Sequence, residues 1–156
     1  MKKVWAVYFS GTGTTKKTVN FIADKLAEKF KTKKEIFDFT LPEARKIVKE
    51  FDKNDIVIFG TPVIAGRVPN VLLKYLDTLK GNGALAVPVV LFGNRDFNDA
   101  LMELSDILAK DGFKPIGAGA FIGEHSFSKI LAQGRPDEDD MKIMEEFSNK
   151  IYEKIT

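Results

Sequence analysis

Residues Ser10-Gly11-Thr12-Gly13-Thr14-Thr15 place four hydroxyl groups and two glycines between an apolar run and a stretch of helical periodicity. Hydroxyls and free amides at the start of a helix are donors without net charge, and the helix dipole adds an attraction for an anion there. The glycines let the backbone wrap closely around whatever is bound. Such a loop suits a dianionic phosphate held by hydrogen bonds alone. The plainer reading is a polar turn with a threonine N-cap; position, hydroxyl density and glycine spacing together favour the phosphate. Two better-known phosphate loops fail on spacing. A Walker A loop needs glycine immediately before its Lys-Ser/Thr pair, where this chain has Lys16 before Lys17-Thr18. The dinucleotide fingerprint needs a third glycine three residues after Gly13, which is again Lys16.

The elements that must hold this loop are legible in the hydrophobic pattern. Lys3 to Phe9 is an almost wholly apolar strand, covered on both faces. Val19, Ile22, Ala23, Leu26, Ala27 and Phe30 then share one helical face. Glu35 to Phe39 reads as a second strand. Pro42 opens a helix that turns Ala44, Ile47, Val48 and Phe51 inward. Asp55 to Gly60 is a third strand, Pro69 to Leu79 a helix, and Val87 to Phe92 a fourth strand. Asn98 to Lys110 is helical with Leu101, Leu104 and Leu108 inward. Ile116 to Gly123 is a glycine-rich fifth strand. The last helix, from about Asp137, buries Met141, Met144, Phe147, Ile151 and Ile155.

This is β-α repeated five times. Right-handed crossovers make such a string a parallel sheet with helices on both faces, an α/β three-layer sandwich. The expected order is 2-1-3-4-5, with the switch point between the first and third strands. No linker or repeat interrupts it, so residues 1–156 are expected to form one domain. Ligands of open α/β sheets sit at the carboxyl ends of the strands beside the switch point. The loops after strands one, three and four are therefore the ones to watch. From Glu124 to Pro136 about a dozen residues join the fifth strand to the last helix, a length usually reserved for function or mobility.

Composition removes whole classes of chemistry. The chain has no cysteine, which excludes thiolate metal sites, iron–sulfur ligation and cysteine nucleophiles within it. Its single histidine, His125, excludes a multi-histidine metal cage. No metal site is expected. Asp137-Glu138-Asp139-Asp140 reads as first-turn charge complementing a helix dipole. Lys31 to Lys34 reads as a solvated turn, and Met141 and Met144 as core spacing. The net charge of +2, with lysines spread along the chain, gives no case for nucleic acid. No apolar run approaches the roughly 20 residues that span a bilayer, and no signal peptide is expected. A cytoplasmic protein without membrane contact follows as the expectation.

Three loops in register carry a resemblance. Ser10 to Thr15 is similar to the flavodoxin phosphate loop, directly after the first strand. Gly60-Thr61-Pro62-Val63-Ile64-Ala65-Gly66-Arg67-Val68-Pro69 resembles the flavin-ring loop of that superfamily. Gly93-Asn94-Arg95-Asp96-Phe97-Asn98-Asp99 resembles its second ring loop. The likeness runs the whole length and is greatest to the flavodoxin domain of anaerobe flavoproteins that carry a fused ferredoxin. Residues 123–128 (GEHSFS) and 132–140 (AQGRPDEDD) share it.

The resemblance implies a flavodoxin-like fold, bound FMN and electron transfer. It assigns the cofactor to Ser10, Gly11, Thr12, Gly13, Thr14 and Thr15. It adds Thr61, Pro62, Val63, Ile64, Ala65, Gly66 and Arg67, and then Gly93, Asn94, Arg95, Phe97 and Asp99. It assigns no catalytic residue. Two other functions stay open: an FMN-dependent NAD(P)H:acceptor (quinone) reductase, and a flavin-free binding module that keeps only the fold. Departures from the family pattern matter. Carrier flavodoxins usually stack the flavin between Trp and Tyr, whereas these loops offer Ile64 and Phe97, and Trp5 belongs to the core. Carriers are acidic, whereas this chain is slightly basic and sets Arg67 and Arg95 in its ring loops. With no cysteine for a fused ferredoxin, any iron–sulfur partner, such as a ferredoxin or a reductase, is expected to be a separate chain.

Overall fold

A computed structural model describes residues 3–10, 13–63, 67–92, 98–122 and 138–156. The apolar runs form parallel strands: β1 (Lys3–Tyr8), β2 (Lys34–Asp38), β3 (Asp55–Pro62) and β4 (Leu85–Phe92). Beyond β4 lies an edge strand in two pieces, β5 (Lys114–Pro115) and β6 (Gly119–Ile122), both paired to β4. The order is β2-β1-β3-β4-β5, as the alternation of elements requires. The register sets Tyr8 beside Gly60 and Asp38, and Gly60 beside Val89, so β1, β3 and β4 end at one edge. An edge strand tolerates Pro115, whose missing amide would break a ladder inside the sheet.

Helices α1 (Thr14–Phe30) and α4 (Glu138–Ile155) cover one face, and α2 (Asn70–Leu76) and α3 (Asn98–Lys110) the other. On the first face Val19, Ile22, Leu26, Met144 and Ile151 meet Val4, Ala6, Ile56, Ile58 and Val87. On the second, Leu72, Leu76, Leu104 and Leu108 meet Val57, Phe59, Ala86 and Val90. Alternate residues of β1, β3 and β4 enter opposite cores, which explains why these strands read as solid apolar runs. Each fully buried aliphatic side chain contributes about 1.5–3 kcal/mol of transfer free energy.

One expected element is absent. The helix anticipated from Pro42 to Phe51 is a single 3₁₀ turn, Ala44–Lys46, followed by extended chain from Ile47. Two contacts account for this. Arg45 Nη1 donates to the carbonyls of Phe39 (2.9 Å) and Thr40 (2.8 Å), pinning the turn against the end of β2. Further on, the Phe51 amide donates to the Lys80 carbonyl (2.9 Å) and the Lys80 amide to the Lys49 carbonyl (3.1 Å), which holds the segment extended. The β-branched pair Ile47-Val48 offers a helix little resistance to this. Phe51 is buried as expected, but Ile47 and Val48 face outward, each 57% exposed.

Smaller differences have equally local causes. α2 ends at Leu76 rather than Leu79, although Leu79 stays buried. Lys34 is no part of a solvated turn: it opens β2 and pairs with Asp24 at 2.8 Å. Trp5 is only partly buried, packed at the margin of the second core. In the first turn of α4 Glu138 and Asp139 are exposed while Asp140 is buried.

Candidate functional site

The three loops singled out by sequence leave the same edge of the sheet. Ser10 ends the β1 exit, Gly13 is the N-cap of α1, and Thr14 and Thr15 open that helix, both buried. Thr61 and Pro62 end β3 and Val63 follows, its amide donating to the Leu91 carbonyl of β4 (2.8 Å). Arg67 leads toward α2, and Asp99 lies in the first turn of α3. Gly11, Thr12, Ile64, Ala65, Gly66, Gly93, Asn94, Arg95 and Phe97 lie outside the described residues, as does His125.

The N-cap of α1 is glycine rather than threonine. Gly13 sits at φ +89°, a left-handed conformation that favours glycine, and its side-chain position faces open space. Ser10 Oγ accepts from the amides of Gly13 (3.1 Å) and Lys16 (3.0 Å), so one hydroxyl gathers two donors of the turn. Behind it, a Cβ at Gly60 would lie 2.2 Å from Val19 Cγ2 and 3.1 Å from Thr15 Cγ2. Glycine there brings α1 close to β3 and sets the helix start beside the end of that strand. Thr61 Oγ1 is wholly buried and has no hydrogen-bond partner among the described residues.

A support behind the first loop went unnoticed in the sequence. The Ser10 amide donates to Thr40 Oγ1 (2.9 Å), and Thr40 donates from both hydroxyl and amide to Asp38 Oδ1. Arg45 grips the Phe39 and Thr40 carbonyls, and its guanidinium lies 5.7 Å from the Phe9 ring centre. The end of β2 thus braces the β1 exit. Asp38-Phe39-Thr40 carried a signal for it, since an aspartate bonding the amide two residues on is an Asx turn.

Arg67 is turned to α3. Its Nε donates to Glu103 Oε1 at 3.2 Å and its Nη2 to Glu103 Oε2, while the Val68 amide donates to Oε1 at 3.0 Å. The bidentate pair holds the Glu103 carboxyl below its ordinary range and pushes the Arg67 guanidinium further up. With Asp99, Met102, Asp106 and Ile107 these two residues line an open groove. Nothing in the sequence pattern linked Arg67 to a residue so far along the chain. Among the described residues, no cluster of three or more His, Cys, Asp or Glu could hold a metal ion. No helix among them is long and apolar enough to cross a membrane.

Comparison with solved structures gives a consistent fold. A flavodoxin of Streptococcus pneumonia TIGR4 superposes with a TM-score of 0.66 at 18% identity, over 97% of this chain and 99% of that one. A short-chain flavodoxin associated with a non-canonical PDU bacterial microcompartment gives 0.68 at 16%, over 100% of both chains. An NADH:FMN oxidoreductase in its apo form gives 0.70 at 16%, over 97% of this chain and 89% of that one. No protein-family model matches the sequence, and no curated protein matches it. At these identities the likeness defines architecture: the chain has the flavodoxin-like fold, with its parallel sheet in the order 2-1-3-4-5.

Proposed function

We propose that the chain binds one FMN at the carboxyl edge of β1, β3 and β4 and carries electrons between separate redox proteins. The observation that carries this reading is the neutral donor set at the start of α1. Ser10, Thr14 and Thr15 stand with the glycine-capped helix terminus, beside open space at Gly13. Such donors match a phosphate dianion without a counter-charge. Thr12, by sequence, belongs to the same loop. The Thr61 hydroxyl, without a hydrogen-bond partner among the described residues, adds a donor at the end of β3. Solved structures sharing the fold include flavodoxins and an NADH:FMN oxidoreductase, which supports a flavin over other phosphate ligands.

When bound, the flavin supplies the electron transfer itself, while the protein binds, orients and sets the surrounding charge. Ser10 to Thr15 hold the phosphate, and Thr61 to Arg67 with Gly93 to Asp99 flank the ring. The Asp38–Thr40–Ser10 chain keeps the first loop in place. The likeness of the three loops to the ferredoxin-fused anaerobe flavoproteins favours an iron–sulfur protein as the exchange partner. FMN is expected rather than FAD, because the loop is built for one terminal phosphate and lacks a dinucleotide fingerprint. Denaturing the purified protein and chromatographing the released flavin tests the identity. FAD as the dominant species, or no flavin after reconstitution, overturns the reading. Steady-state NAD(P)H oxidation by the loaded protein is expected to be negligible; sustained turnover would assign it to the reductases instead.

A further inference from the structure

Where the missing helix would have lain, three aromatic rings surround one ammonium. Lys49 Nζ is 4.0 Å from the ring centre of Trp5, 5.5 Å from Phe37 and 5.4 Å from Phe51. Trp5 and Phe51 meet edge to face, at 5.4 Å and 88°. The walls come from β1, from β2 and from the extended segment that follows the 3₁₀ turn. That segment is fixed by its backbone bonds to Lys80, so the walls are set independently of the Lys49 side chain. The adjacent Glu50 pairs with Lys80 and not with Lys49. Among the described residues Lys49 Nζ has neither a hydrogen bond nor an ion pair.

Ring faces attract cations through their quadrupole, and an enclosure of several aromatic faces is how proteins bind alkylammonium groups. Among the described residues it offers no hydrogen-bond acceptor to the ammonium. Lys49 is half-buried and its N–H donors find only solvent as an acceptor, whereas a quaternary ammonium needs none and can sit wholly among the rings. Lysine is also tethered by a flexible stem that can swing to water. We propose that Trp5, Phe37 and Phe51 form a box for a small quaternary ammonium ion, with Lys49 as its displaceable resident. Lys3 Nζ, 5.8 Å from the Trp5 ring, leaves a second, weaker cation at the rim. The site lies apart from the loops assigned to the cofactor and does not depend on that assignment.

Trp5 is the chain's only tryptophan and reports on the box directly. Tetramethylammonium chloride, titrated at ionic strength matched with sodium chloride, should change its fluorescence saturably. The uncharged tert-butanol, of similar size, should not. Lys49→Ala should bind the cation about tenfold more tightly, since the occupied fraction of the box no longer discounts the affinity. Phe37→Leu should weaken binding about tenfold through loss of one wall. If Lys49→Ala does not fold, the comparison of the unaltered protein with Phe37→Leu decides. An equal response to tert-butanol, equal affinities in Lys49→Ala and the unaltered protein, or indifference to Phe37→Leu overturns the proposal.

Discussion

The guanidinium of Arg67, in the loop assigned to the flavin ring, is engaged on both carboxylate oxygens of Glu103 from α3. Sequence alone set a cation in this loop, and the structure supplies its partner. Charge near a flavin matters because the fully reduced ring is anionic. A unit charge about 6 Å away, screened by solvent, moves a one-electron potential by on the order of 40 mV. A neutral pair moves it far less. Glu103→Gln should therefore make the potential of the loaded protein less negative and Arg67→Gln more negative, by comparable amounts, because each leaves one unit charge of the pair uncompensated. Potentiometry on the three proteins checks this. A shift in only one of the two variants, or shifts of the same sign, would mean that the pair does not act as one neutral unit.

Glu103 also fastens the chain after β3 through the Val68 amide. Its carboxyl is held below the ordinary range, foremost by the hydrogen bond from Arg67, so the clamp is complete above the unfolded-state value and fails only as pH falls through the folded one. Protection of the Val68 amide from hydrogen exchange should persist at neutral pH and be lost in Glu103→Ala.

Gly60 sets how closely α1 approaches β3. In Gly60→Ala the new methyl would meet Val19 Cγ2 at 2.2 Å, so the helix must move or the side chain rearrange. Overpacking of this kind costs about 1–3 kcal/mol. Urea denaturation should show that loss, and FMN titration a weaker affinity, because the displaced helix start carries the donors proposed to hold the phosphate. Stability equal to that of the unaltered protein would mean that the contact relaxes at no cost.

At the opposite edge of the sheet Asp111 follows α3 with one carboxylate oxygen buried and without a partner among the described residues. Burial first, then the charge of Asp77, raises its carboxyl to about 7, with Lys110 opposing. A carboxyl near 3.9 in the unfolded chain and raised in the folded one costs stability as pH climbs between the two values, and nothing further above the higher. Asp111→Asn should therefore match the unaltered protein in acid and melt at higher temperature at pH 7 to 8. Differential scanning fluorimetry across that range decides it; parallel melting curves would show that Asp111 titrates normally.

Elements fixed by local pattern were legible in the sequence, and those fixed by distant contacts were not. Asn98–Lys110 begins and ends where periodicity set it, and β1 and β3 read correctly as strands buried on both faces. Pro42 to Phe51 carried an equally good helical stripe, yet Arg45 and Lys80 pull it into a turn and an extended run. Lys80 lies outside any local window, and the Arg45 bonds, though only five and six residues back, leave no mark in a hydrophobic period. The site divides in the same way. Ser10 to Thr15 announced itself through composition next to a strand, but the Glu103 clamp pairs residues 36 apart. Thr40 behind Ser10 sits 30 residues on, across a neighbouring strand.

The most direct test of the central claim is calorimetric titration of flavin-free protein with FMN, alongside Thr15→Ala. One FMN per chain is expected. The variant should fold normally and bind roughly ten- to a hundred-fold more weakly, the loss of one hydrogen bond to a charged group. Absence of FMN binding by the unaltered protein, or an affinity in both Thr15→Ala and Thr12→Ala equal to that of the unaltered protein, would contradict a phosphate site at the start of α1.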